Sequence, residues 1–355
     1  MKAITMNTQA IRLPALSRHR LFWPVMTLLL MLAVNAWFNP NFFSITVKSG
    51  HLYGALIDIV NRASPLMLIA IGMTPVIATR GIDISVGAVV AICGAVAATL
   101  IGGTLIIDHG NPVYVSNTPM ALAIIAAIGA GIACGLWNGA LVAGAGMQPI
   151  VATLILMVAG RGVAQLITGG QITTVYYEPF FVIGNGFLLG LPVALYIVAA
   201  VAIAMLLMVH KTALGLFIEA VGINPIAARF AGLGARRILM MVYAFCGACA
   251  AIAGLIVASN VKSADGNNAG LAMEMDAILA VTLGGTSLDG GRFSLAGSLI
   301  GALIIQTLTY AIYSLGVPPE INMVVKSIVV IAVCLIQSES FRRRLLSLFR
   351  KEEAR

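Results

Sequence analysis

Acidic side chains are scarce in this sequence. Thirteen Asp and Glu stand against 21 Lys and Arg in 355 residues, and charged residues make up 10% of the chain while apolar ones make up 60%. An ordinary soluble domain carries roughly 25% charged residues, so a water-soluble globule is excluded and an integral membrane protein is implied. Catalytic signatures are missing as well. No GxxxxGK[ST] phosphate loop is present, so ATP hydrolysis by this chain is not expected, and no HExxH or GxSxG motif supports a hydrolase. His19, His51, His109 and His210 stand far apart, so no metal-ligand set emerges. The five cysteines are scattered through apolar stretches. The CGAC pair Cys246 and Cys249 lies in YAFCGACAAIAG, a small-residue helix in which packing is the expected role.

What the chain has in quantity is apolar runs long enough for a bilayer, each crossing needing about 20 residues. They fall at 21–38, 54–79, 84–103, 119–144, 150–168, 190–209, 237–259, 294–315 and 320–337, with a shorter one at 274–287. The expected fold class is therefore an all-α polytopic membrane protein of about ten transmembrane helices. No small-residue cleavage pattern follows Trp37 and Phe38, so the first run is read as a retained helix.

Lys and Arg orient the chain, because positive residues are retained on the cytoplasmic side. With both termini inside, inner segments collect Lys2, Arg12, Arg18, Arg20, Arg80, Lys211, Arg229, Arg236, Arg237, Arg292, Arg342, Arg343, Arg344, Arg350, Lys351 and Arg355, which is 16 of the 21. The expected layout is a cytoplasmic tail at 1–20, a transmembrane domain at 21–338 with a cytoplasmic loop at 210–236, and a basic cytoplasmic tail at 339–355. The net charge of +8 is then a topology signal and not a nucleic-acid footprint.

Ion-coupled carriers keep titratable groups deep in their spans. Here these are few: Arg161, Lys326, and Asp58 with Arg62 four residues on, for all of which structural pairing is expected. Uncharged polar groups are commoner, among them Trp137, Asn138, Thr153, Gln165, Gln306, Tyr310 and Asn322. They suit a path for a neutral polyhydroxylated solute, and they equally suit hydrogen bonds between helices. Gly131, Gly135 and Gly139 recur every fourth residue, as do Gly297 and Gly301, which places each set on one face for close packing. RGIDISVGAVVA (80–91) and GGRFSLAGSLIG (290–301) echo each other, as duplicated halves would.

One segment, FIEAVGINPIAARFAG (217–232), is too polar and too short to cross. Asn224 followed by Pro225 has the order of a helix N-cap and first residue, and Gly232 stands where a C-terminal cap belongs. The expected helix, 225–231, is only about 10 Å long. Ile226 and Phe230 form its apolar edge, Arg229 adds one charge, and Ala227 and Ala228 keep it slim, a profile for a groove in another protein or for lipid headgroups.

KTALGLFIEAVGINPIAARFAG (211–232) resembles the cytoplasmic coupling segment of permeases in bacterial ABC importers for monosaccharides, the ribose-type group. RGIDISVGA (80–88), QPIVATLILMVAGRGVAQLITGG (148–170) and MDAILAVTLGGTSLDGGRFSLAGSLIGAL (275–303) resemble the same group in the same order. NRASPLMLIAIGM and the GGRF form look like permeases of galactofuranose importers. Arg292 and Phe293 depart from the small residues common at that place, and Glu219 stands where many relatives have another residue. The resemblance implies import of a monosaccharide across the bacterial inner membrane, with coupling residues Gly222, Asn224, Ala227, Ala228, Arg229, Phe230 and Gly232. It also implies two ATPase subunits that bind ATP-Mg, a periplasmic sugar-binding protein and a second permease chain, identical or a sister, with no cofactor on this chain. Asp83, Ser85, Asn138, Thr153, Gln165, Gln306 and Asn322 are the candidate path residues. Hydropathy puts Asp83 at an inner-face turn, while a glycine-broken helix would carry it and Ser85 to mid-membrane. The alternative to an ABC permease is an ion-coupled carrier or a passive facilitator of a small polar solute.

Overall fold

The computed structural model describes residues 21–337 apart from 49, 109, 110 and 317. The tails read at 1–20 and 339–355 lie outside the described residues. In chain order the helices are α1 (Phe22–Phe38), α2 (Ala55–Ala78), α3 (Val86–Ile101), α4 (Met120–Gly139, ending in a π turn over Ala140–Gly144), α5 (Pro149–Ile167), α6 (Glu178–Asn185) and α7 (Val193–Lys211). They continue as α8 (Leu214–Ile223), α9 (Pro225–Phe230), α10 (Ala235–Val261), α11 (Met273–Leu283), α12 (Leu295–Ser314) and α13 (Pro319–Gln337). Among the described residues six helices are long and apolar enough to cross a membrane, namely α2, α4 with its π turn, α5, α7, α10 and α12. Shorter apolar helices include α1, α3 and the middle of α13. The fold is all-α. Its strands are short: hairpins at 46–53, 104–115 and 187–192, and a two-residue pairing of Thr173–Thr174 with Ser263–Ala264.

Helix α2 is buried at every residue from Ala63 to Ala78, as a helix that is hydrophobic all round must be. It sits at the centre with α10, α12, α11 and α7 around it. The glycine stripe on α4 faces α10: a Cβ added at Gly131, Gly135 or Gly139 would meet Gly247, Tyr243 or Met240. Gly297 and Gly301 of α12 likewise lie on Gly284 and Ala280, beside and within α11. Both stripes work by letting backbones touch, the way helices associate where lipid supplies no hydrophobic drive.

Two helices break inside the bundle. After α2 the chain turns through Arg80, whose φ of +61° is left-handed, and runs irregularly to Ser85 at the head of α3. After α10 it turns through Lys262, with φ of +58°, and runs irregularly to Ala272 at the head of α11. Since α10 runs antiparallel to α2, the two breaks enter from opposite faces. They meet where a Cβ on Gly87 would overlap the Gly270 carbonyl and the Glu274 side chain. This inverted pair, α2–α3 against α10–α11, is the internal correspondence of the fold. The echo between 80–91 and 290–301 is not, because those segments share one face, a Cβ on Gly290 touching Arg80 and Ala78.

The loop at 210–236 also holds more structure than its polarity suggests. Alongside the short helix it contains α8, a ten-residue helix apolar except for Glu219 and packed on α2, α7 and α10.

Candidate coupling and translocation sites

Helix α9 is a compact projection with fixed ends. Asn224 Oδ1 accepts from the backbone N–H of Ile226 and of Ala227, both at 3.0 Å, and Pro225 opens the helix. Gly232, at φ of +82°, closes it, with Leu233 N donating to Ala228 O at 3.0 Å. The helix is Pro225–Phe230, one residue shorter than its sequence suggests. Phe230 is 89% exposed and Ile226 66%, so the apolar edge faces away from the bundle. Of the seven residues in the coupling pattern, Ala228 and Gly222 face inward instead. Ala228 is buried against the bundle, and Gly222 is so close to α2 that a Cβ would overlap the Ala78 carbonyl. Beside α9 an open depression of about 630 Å³ is lined by Arg229, Arg236 and Arg237. An apolar knob beside three guanidinium groups suits a protein partner with an acidic cleft.

Four of the candidate path residues come together at the first break. Asp83 Oδ1 accepts from Ser85 Oγ at 2.6 Å, from Ser85 N at 3.0 Å and from the Asn138 amide at 3.3 Å. Asn138 also donates to Ser85 Oγ at 2.8 Å. Thr153 Oγ accepts from Ile84 N at 3.2 Å and lies 3.2 Å from Ile82 O. Cys246 lies beside the same carboxylate. Cys246 is eleven residues into α10, roughly 16 Å along its axis, so the GIDISVG segment descends from the α9 face to mid-bundle. Asp83, Ser85, Asn138 and Thr153 are all buried, with exposures of 1% or less. Their geometry satisfies an irregular backbone at membrane depth, which is tolerated only when its polar groups find partners in protein.

The second break has a different character. Arg161 on α5 donates to Asn267 O at 3.2 Å and to Ala269 O, and Gln165 donates to Asn267 Oδ1. Asp265 Oδ1 accepts from Asn267 N at 2.8 Å and from Asn268 N at 3.2 Å. Asn267 and Asn268 are exposed, and Arg161 and Gln165 half-exposed. Arg161, for which structural pairing was expected, bonds main-chain carbonyls. Glu274, 5% exposed at the head of α11, leaves Oε2 without a hydrogen bond. Asn267 and Glu274 are not singled out by the sequence; the signal that would find them is the Asp three residues after a basic helix end, shared by Arg80–Asp83 and Lys262–Asp265.

Gln306 lies apart, half-buried on α12, and the Asn322 side chain lies outside the described residues. Asp58 pairs with Arg62 at 3.4 Å, and Lys326 pairs with Asp276 of α11 at 2.6 Å, a partner the sequence does not reveal. Among the described residues no cluster of three or more His, Cys, Asp or Glu is placed to hold a metal.

Residues 55–334 match the family described as branched-chain amino acid transport system / permease component. The chain is 50% identical to the galactofuranose transporter permease protein of Escherichia coli (strain K12), over 91% of this chain and 93% of that protein. It is 40% identical to the fructose import permease protein of Bifidobacterium longum (strain NCC 2705), over 93% and 91%. It is 36% identical to the ribose import permease protein of Escherichia coli (strain K12), over 89% and 92%. No solved structure matches.

Proposed function

This chain belongs to the family of permease components typified by the branched-chain amino acid transport system, and from that membership we propose that it is the membrane subunit of an ATP-driven ABC importer for a monosaccharide. Its relatives import galactofuranose, fructose or ribose, and furanose or pyranose rings of that size are the substrate class. The observation that carries the reading is α9, a rigidly capped helix that offers Phe230 and Ile226 beside Arg229 on the basic face. There it receives an ATPase subunit, which supplies ATP-Mg chemistry that this chain lacks. The termini share that cytoplasmic face, and a periplasmic sugar-binding protein delivers substrate to the opposite one.

A second permease chain, identical or a sister, completes the path. Arg161 and Gln165 lie on the open side of α5 with Leu154 and Val158 exposed nearby. A cation at that depth is costly against lipid, and a polar solute needs a protein wall on its other side. An ion-coupled carrier is not favoured, since the relatives are import permeases and both Lys326 and Arg62 are held in ion pairs.

The test is uptake of labelled ribose, fructose or galactose into proteoliposomes that hold this chain, its ATPase and its binding protein. Uptake should require ATP and survive collapse of ion gradients, and Arg229→Glu should abolish it while the protein still inserts. Uptake that follows the proton gradient, or that tolerates Arg229→Glu, overturns the reading.

A further inference from the structure

Beneath α9 one side chain ties three segments that are far apart in sequence. Arg80 Nε donates to Asp289 O at 2.8 Å, and its Nη2 donates to Ile223 O at 2.8 Å. Ile223 is the last residue of α8, directly before the Asn224 that caps α9. Asp289 lies in the connection that leads to Ser294, whose hydroxyl caps α12. The same junction is closed on its other side by Gly291 N, which donates to Ala78 O at 2.8 Å, and by Gly222, where no side chain fits. Arg80 itself holds a left-handed backbone, uncommon for a residue with a Cβ.

We propose that Arg80 is the positioning residue that passes movement of α9 to the broken helix after α2, and through Asp289 to the start of α12. Its place in the chain supports this. Five residues beyond Arg80 is Ser85, the head of α3 and a member of the mid-bundle cluster with Asp83 and Asn138. On the way, Gly81 N returns to Val76 O at 2.9 Å, and Gly81 lies against the Tyr243 hydroxyl. A shift of Ile223 therefore acts on a short, hydrogen-bonded strap that ends at the crossing of the two breaks. The linkage is made to carbonyls, so it follows main-chain position. Two divergent carbonyls are a task for the rigid fork of a guanidinium, which the single ammonium of lysine does not reproduce.

The inference rests on the docking role proposed for α9, and the experiment separates the two. Wild type, Arg80→Ala, Arg80→Lys and Gly222→Ala would each be reconstituted with the ATPase and binding protein. Co-purification of the ATPase, ATP hydrolysis and labelled sugar moved per ATP would then be read. Arg80→Ala should keep the ATPase bound and hydrolysis within about twofold, and lose about tenfold in sugar per ATP, the scale of one charge-assisted hydrogen bond. Arg80→Lys should fall between, and Gly222→Ala should uncouple in the same sense by prising Ala78 from the other side. If Arg80→Ala fails to assemble, the lysine variant decides, its lowered sugar per ATP supporting the inference and an unchanged ratio overturning it. An ATP-driven wild type with an unchanged ratio in Arg80→Ala sinks this inference alone. Wild-type uptake indifferent to ATP sinks the docking reading and this inference with it.

Discussion

The two breaks in the bundle are built alike and used differently. Each follows a long central helix, turns through a basic residue in left-handed geometry, and places an Asp three residues on that accepts the N–H two residues further along. At the first break the acceptor Asp83 is buried and its partners Ser85 and Asn138 are buried with it. At the second, Asp265 is half-buried and its partners Asn267 and Asn268 are exposed, with the Arg161 and Gln165 side chains alongside. One break is sealed inside the chain and strapped by Arg80 to the end of α8, directly before α9; the other opens toward the side of α5 that a partner chain would cover. Under the proposed function, we infer transmission at the first break and contact with the passing solute at the second.

The largest effect should come where the breaks touch. Gly87→Val would drive a branched side chain into the Gly270 carbonyl and the Glu274 side chain. Main chain cannot swing aside, so the cost should lie near the upper end of overpacking, about 3 kcal/mol, and transport should be lost. Gly270→Val, with a φ of +66° added to an overlap with the Gly87 carbonyl and the Val90 side chain, should be at least as harmful. Thermal unfolding of the purified permease measures both, and a variant as stable as wild type would show that the breaks are not in contact.

A smaller effect should separate the breaks from each other. Asp83→Ala leaves the Ser85 N–H and hydroxyl without their acceptor in a buried site and takes one of two acceptors from the Asn138 amide, at a cost of about 2 kcal/mol. The equivalent change, Asp265→Ala, exposes the same kind of donors to water and should cost under about 1 kcal/mol. Equal losses in a denaturation comparison would mean that the second break is as sealed as the first.

The ladder of crossings was legible in the sequence because apolar length is a strong signal, and α9 because Asn-Pro and Gly mark helix ends by local chemistry. The inverted correspondence was not. Its two halves share a basic residue, an Asp and a small residue, and the rest of each break is shaped by different neighbours, so the Gly-rich segment 290–301 looks more like 80–91 than the structural counterpart at 262–270 does. Helix α8 was hidden for a related reason, since its apolar residues pack on α2 and α10 rather than forming a run long enough to cross. Polarity marks the path residues in the sequence, and it does not distinguish Asp83, satisfied within its own break, from Gln165, presented at the surface of α5. Nor does polarity find Asn267, whose placement depends on a contact more than a hundred residues away in the chain, or the carbonyls that hold Arg161.

The smallest effect tests the second break as a solute contact. Gln165 is half-exposed, and its amide bonds the side chain of exposed Asn267. Gln165→Leu removes that bond in a place where water replaces it, so stability should change by no more than about 0.5 kcal/mol. If a sugar hydroxyl meets this amide in passing, uptake should fall by roughly threefold, as for loss of one neutral hydrogen bond, while ATP hydrolysis in the absence of binding protein stays level. The sealed break offers the control: Thr153→Val removes the hydroxyl that Ile84 N donates to and should lower stability by about 1 kcal/mol with less effect on uptake per folded molecule. The reverse pattern, in which Gln165→Leu destabilises and Thr153→Val slows uptake, would exchange the roles of the two breaks and place the solute path along α3 and the mouth of the first.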